Sequence, residues 1–148
     1  PGPGVSRWSS GVIITDAAEG ITLYREVLAN RDRTGPKDPL KAAGAANLLA
    51  NALREDGNYA EAEPLFRRVV SVSESQLGRR HVNTLLARVS LAHTLRALGS
   101  PEQRAAALSE YRAADEGLRS AFGRSHHLSL AARLSLATLL LEEAAGDA

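Results

Sequence analysis

The chain has 148 residues, is 44% hydrophobic but only 4% aromatic, and carries a formal net charge of +1. That length suits one domain. The near-balance of charge excludes the basic footprint of a nucleic-acid binder, the absence of Cys excludes disulfides and thiolate metal sites, and no apolar run approaches the roughly 18 residues that span a bilayer.

A chain without Cys leans towards a reducing compartment, and a cytoplasmic location is expected. Arg and Lys number 16 and 2, and Ala is abundant, the bias of a GC-rich bacterial genome. Met is absent altogether, which points to a piece of a longer chain.

Residues 1–15 read as a flexible or extended lead, and residues 16–148 as a helical domain. Pro1 to Ser10 is rich in Pro, Gly and Ser. Val12-Ile13-Ile14 is a β-branched run, either an extended segment on the first helix or the remnant of an earlier one. Trp8 packs against the end of the array or anchors a partner, and the first is the simpler reading.

Asp16 to Arg31 carries Ile21, Tyr24, Val27 and Leu28 on one helical face. Asp16 is expected as its N-cap with Glu19 at capping-box spacing, and Gly35-Pro36 as its stop. Asp38-Pro39 is an N-cap followed by Pro at the first helical position. A second helix covers Pro39 to Glu55 and turns at Gly57-Asn58.

A third helix runs from Tyr59 to Leu77, with Ala62, Leu65, Phe66, Val69 and Val70 inward. Pro64 is tolerable if it falls in about the first turn. Gly78 is the expected left-handed cap. Val82 to Leu98 is a fourth helix with Leu85, Leu91, Ala92, Leu95 and Leu98 inward. Ser100 then caps a fifth, Pro101 to Phe122, with Ala107, Tyr111, Ala114 and Leu118 inward. Gly123 stops it, and Leu128 to Ala145 is the sixth.

These units recur. Leu49-Ala50 with Leu53 and Gly57 returns 42 residues on as Leu91-Ala92 with Leu95 and Gly99, and Leu136-Ala137 with Leu140 follows after 45 more. The junctions Leu77-Gly78-Arg79-Arg80-His81 and Phe122-Gly123-Arg124-Ser125-His126 also match, as do Thr84 to Arg88 and Ser129 to Arg133. With Asn58-Tyr59-Ala60-Glu61-Ala62-Glu63-Pro64-Leu65-Phe66, this pattern resembles the tetratricopeptide repeat family in its longer, kinesin light chain-like form. The resemblance covers about Asp16 to Gly146. It implies an all-α fold, an α-solenoid of about six antiparallel helices in a right-handed superhelix. The departures are Asp38 where the junction His is expected, and Ala46 where Arg88 and Arg133 stand later. The array begins on the second helix of a pair and ends on a first helix.

Catalytic chemistry has no support in the residues. There is no Gly-x-Ser-x-Gly elbow and no Gly-rich phosphate loop. The adjacent acids Glu55-Asp56, Asp115-Glu116 and Glu142-Glu143 point about 100° apart on their helices. His81 and His126 share one slot before a helix and read as caps rather than metal ligands, and His127 as a surface neighbour. Catalytic, cofactor and metal sites are therefore all expected to be absent, and the chain is expected not to be an enzyme. The short clusters Arg31/Arg33, Arg67-Arg68 and Arg79-Arg80 are solvated faces. Arg88 and Arg133 fall near inward stripes and need acidic partners, for which Glu74 and Glu116 are expected.

The resemblance implies binding on a concave face lined by the first helix of each pair. Carried over by register, the first unit contributes Asn47, Asn51, Arg54 and Glu55. The second contributes Leu86, Val89, His93 and Arg96, with a solvent-facing polar role as the plainer reading of His93. The third contributes Ala131, Leu134, Thr138 and Leu141. Asn offers both donor and acceptor to an extended peptide backbone. The family's lysine-and-asparagine clamp for a terminal carboxylate is absent. The expected function is a non-enzymatic module that binds a peptide or protein segment, within a larger bacterial regulatory or signalling protein. The alternative is a structural module that packs on another domain, or forms a homo-oligomer, through its exposed last helix. Neither nucleic acid nor a membrane is expected as a partner.

Overall fold

A computed structural model describes residues 5–9, 12–34 and 37–146, and side-chain surroundings from residue 16 onward. A two-stranded antiparallel ribbon, β1 (Val5–Ser9) and β2 (Val12–Thr15), leads into six helices. These are α1 (Asp16–Arg33), α2 (Pro39–Glu55), α3 (Tyr59–Leu77), α4 (Val82–Leu98), α5 (Pro101–Phe122) and α6 (His127–Gly146). Val12 to Thr15 is extended and is no remnant of a helix. The surroundings of the Trp8 side chain and the Gly35-Pro36 stop lie outside the described residues.

Each helix packs on the next in sequence, which makes the fold an all-α solenoid rather than a domain around one centre. Small residues set the spacing. Ala46, Ala50, Ala62, Ala92, Ala107 and Ala114 are fully buried where neighbouring helices approach. Phe66, Tyr111, Leu53, Leu91, Leu95 and Leu118 fill the gaps between them and are equally buried. A Cβ at Gly117 would lie 2.5 Å from Leu85 Cδ2, so only glycine lets α5 come this close to α4.

The boundaries follow from local chemistry. Asp38 and Asn58 accept the N–H of Lys41 (3.1 Å) and Glu61 (3.4 Å). Ser100 and Gln103 form a reciprocal capping box at 3.1 Å each way, and such caps contribute about 1 kcal/mol each. His81 and His126 do cap: each Nδ1 accepts a backbone N–H two residues on, at 3.1 and 3.2 Å. Gly99 ends α4 in the left-handed conformation at φ 82, ψ 2. Gly78 differs from that expectation, since its φ of 100 comes with a ψ of 159.

Three other local expectations are corrected. Asp16 is itself the first helical residue of α1 rather than the residue before it. Pro64 is the sixth residue of α3, beyond the first turn. It leaves the Ala60 carbonyl without its usual donor, and both residues are exposed, so water can take that place. Val27, expected inward on α1, is 46% exposed, while Ile21 and Leu28 are buried against α2. No helix covers the other side of α1 among the described residues.

The half-buried Arg88 and Arg133, at one slot of the repeat, are paired. Arg88 bonds Glu74 at 2.6 Å and Glu110 at 2.8 Å, tying α3 and α5 to α4. Arg133 takes Asp115 at 3.3 Å, not the expected Glu116, because Asp115 is the one of the two that α5 turns inward. On the outside, Arg68 bridges to Asp32 at 2.5 and 3.1 Å, and Arg25 to Glu61. Exposed pairs of this kind contribute about 0–1 kcal/mol each.

Candidate functional site

The first helices of the pairs, α2, α4 and α6, carry the positions expected to bind. Seven of them line two recesses. One, of about 500 Å³, lies between α2 and α4 with α3 at its floor. Asn47, Asn51 and Leu86 line it, with Val69, Ser73 and Leu77 beneath. Both Asn side chains are half-buried, which suits donors and acceptors held in place for an extended backbone.

The second recess, of about 690 Å³, lies where α2 and α4 end and α5 begins. Arg54, Glu55, His93 and Arg96 line it, together with Tyr59, Arg104 and Glu142, which the sequence register had not singled out. Arg54 joins the two recesses. Its guanidinium donates to Asn51 Oδ1 at 3.2 Å and sits 5.7 Å from the centroid of the Phe66 ring. Among the described residues Arg54 makes no ion pair, whereas Arg96 binds Glu142 and Arg104 binds both Glu142 and Glu143.

His93 is not a solvent-facing residue. It is half-buried, and its Nδ1 lies 2.5 Å from the hydroxyl of the fully buried Tyr111. The rings meet edge-on at 5.4 Å. In the neutral ring with its proton on Nε2, Nδ1 accepts the Tyr111 hydroxyl. Burial pushes the His93 pKa down, and the cations Arg54 and Arg96 push it further. The Arg96 guanidinium, in turn, holds the Glu142 carboxyl below the usual carboxylate range.

A pH prediction follows from His93. The unfolded chain takes up a proton at about 6.5, while the folded chain takes it up only lower. The resulting stabilisation is complete above about 6.5 and is lost as pH falls from there to the folded value. Imidazole resonances followed by NMR are expected to show His93 titrating below 6.5, and His93→Gln is expected to flatten that part of the melting-temperature profile. A midpoint at or above 6.5 contradicts the burial argument.

The remaining predicted positions lie elsewhere. Val89 is half-buried and packs on the apolar core rather than opening into either recess. Leu134, Thr138 and Leu141 line neither recess. Leu134 and Leu141 are 69% and 72% exposed, and Thr138 Oγ1 donates to the Leu134 carbonyl at 2.8 Å. Ala131 is also exposed. Leu136 is half-buried, but Ala137 and Leu140 are uncovered, unlike their fully packed counterparts in α2 and α4. Among the described residues, no three metal-ligating side chains converge, and no helix is long and apolar enough to cross a membrane.

The helix pairs and their repeat length define the class. Residues 41–103 match the tetratricopeptide repeat model, and 28 solved chains match the fold. One is the crystal structure of BtubC (BKLC) from P. vanneervenii, with a TM-score of 0.73 and 20% sequence identity. The match covers 86% of this chain and 49% of that one, so the chain spans about half the length of the neighbour. No curated protein matches. Residues 41–103 are thus similar to tetratricopeptide repeats, and the chain shares the fold of that neighbour, an array of helix pairs. Repeats of this family are generally protein-interaction modules and generally non-enzymatic scaffolds.

Proposed function

We propose that this chain binds a peptide or protein segment along the inner surface of α2 and α4, as a non-enzymatic module of a larger bacterial regulatory or signalling protein in the cytoplasm. The observation that carries the reading is Arg54. It stands between the two recesses, half-buried, preset by Asn51 and Phe66, and without an acid of its own among the described residues. A ligand that lays its backbone against Asn47 and Asn51 and offers a carboxylate to Arg54 meets both features at once.

The test is selection from a random peptide library on the immobilised chain. Enriched peptides are expected to carry an acidic residue and to lose about tenfold or more in affinity on Arg54→Ala, the scale of one charge-assisted hydrogen bond. Asn51→Ala is expected to weaken the same peptides, and Leu141→Glu to leave them unaffected. Peptides that bind the Asn51→Ala/Arg54→Ala double variant as well as the native chain would sink the reading.

A second reading, self-association through α6, is favoured by the exposure of Leu134 and Leu141.

A further inference from the structure

An ion pair that joins α4 to α6 has no counterpart between α2 and α4. Arg96 of α4 binds Glu142 of α6, with Nε 3.0 Å from Oε2, and Arg104 of α5 reaches the same carboxylate at 3.7 Å. The repeat places each of these residues one unit earlier. Arg96 stands 42 residues after Arg54, as Leu95 does after Leu53. Glu142 stands 45 residues after Ala97, as Leu140 does after Leu95. Ala107 and Tyr111 stand 45 residues after Ala62 and Phe66, and Arg104 stands 45 after Tyr59.

The packing agrees with this register. Leu53 and Leu95, Ala62 and Ala107, and Phe66 and Tyr111 are all fully buried. Arg54 sits over the Phe66 ring, and Arg96 lies beside Tyr111, which holds the place of Phe66. What differs is the acid. Where α6 offers Glu142 to Arg96, α4 offers only Ala97 to Arg54, which is left without an ion pair among the described residues. Ala97 is exposed and lines the second recess together with Arg54 and Tyr59.

We infer that the ligand's acid takes the place of this missing glutamate: a carboxylate seated beside Ala97 on the Arg54 guanidinium, with Tyr59 at its flank. This rests on the peptide-binding reading and adds where the acid sits and what it is. Ala97 is then a residue that sets specificity, because its methyl group leaves open the seat that Glu142 fills one unit later. The charges favour a carboxylate over a phosphate. Glu142 has two guanidiniums beside it, whereas this seat pairs one guanidinium with a neutral phenol, and the exposed Glu55 lines the same recess. One positive charge answers one carboxylate but leaves a nearly doubly charged phosphate under-neutralised.

Ala97→Glu tests this by supplying the acid from the chain itself. The introduced carboxyl, followed by NMR, is expected to titrate below the ordinary glutamate value of about 4.3, as Arg96 holds Glu142 below its usual range. Adding Arg54→Ala is expected to bring it back. Peptides selected on the native chain are expected to lose about tenfold or more in affinity on Ala97→Glu, the scale of Arg54→Ala. Replacing their acidic residue by phosphoserine is expected to bring no gain. Ala97→Asp replaces Ala97→Glu if circular dichroism shows the latter unfolded. A carboxyl that titrates at its ordinary value, or that keeps its shift in Arg54→Ala, overturns the seat. So do peptides that weaken on Arg54→Ala but not on Ala97→Glu, and these leave the peptide-binding reading standing. Tighter binding of the phosphoserine peptides overturns the preference for a carboxylate. A library that yields no peptide, or only peptides indifferent to Asn51→Ala/Arg54→Ala, overturns the peptide-binding reading and the seat with it.

Discussion

Phe66→Ala is expected to cost about 3–5 kcal/mol of unfolding free energy, the range for truncating a buried aromatic. Phe66 is fully buried in the apolar core. Its ring also receives the Arg54 guanidinium, so truncation removes the surface on which that side chain rests. The loss has two parts that can be separated. Phe66→Leu keeps most of the apolar volume and is expected to cost less than half as much, yet it still removes the π face. Peptide affinity should therefore fall in Phe66→Leu even though the fold persists. Denaturant titration followed by circular dichroism reads the first effect, and binding of a selected peptide reads the second. A Phe66→Ala chain within about 1 kcal/mol of the native stability would show that the helices collapse into the void.

Stability in this chain is a sum over neighbouring helices, and that also explains what the sequence made legible. The bounds of α2, α3, α4 and α5 were readable to the residue, because each is fixed by local chemistry: Asp38-Pro39, Asn58, Ser100-Pro101 and the glycines after them. The buried faces of α3, α4 and α5 were readable for the same reason, since each has a neighbour on both sides. The end helices were not. Val27 obeys the helical period of α1 as well as Leu28 does, yet only Leu28 is covered. Periodicity reports which face is apolar, whereas coverage depends on what lies beside it. The division of the inner surface into two recesses was illegible too. The second recess is lined by Arg96, Arg104 and Glu142, and the pairs Arg96–Glu142 and Arg104–Glu143 join residues 46 and 39 apart. The His93–Tyr111 contact also joins two helices across the array. Choosing Asp115 over Glu116 for Arg133 required knowing how α5 is turned about its axis.

Arg88→Met is expected to cost about 2–3 kcal/mol, whereas Arg133→Met, at the matching position of the next unit, is expected to cost less than about 1 kcal/mol. Both arginines come from the same slot of the repeat, so the difference isolates their surroundings. The Arg88 side chain is only 14% exposed and holds two carboxylates, from α3 and α5, at 2.6 and 2.8 Å. Methionine keeps much of its apolar stem but leaves Glu110 without an ion-pair partner among the described residues and Glu74 with only the exposed Arg79, at 3.2 Å, and a stranded charge is what makes such removals costly. The 3–5 kcal/mol of a fully buried pair is reduced here because both acids retain some contact with solvent. Arg133 is more exposed, reaches one carboxylate at 3.3 Å, and shares it with Arg119, which stays to neutralise Asp115 when Arg133 is lost. The decisive variant is Arg88→Met with Glu74→Gln and Glu110→Gln together. If stranded charge is the cause, the triple variant should recover most of the loss, with midpoints read by denaturant titration. If it stays as unstable as Arg88→Met alone, the cost lies in the packing of the arginine stem between α3 and α5. Peptide affinity should not move in any of these variants, because Arg88 lines neither inner recess.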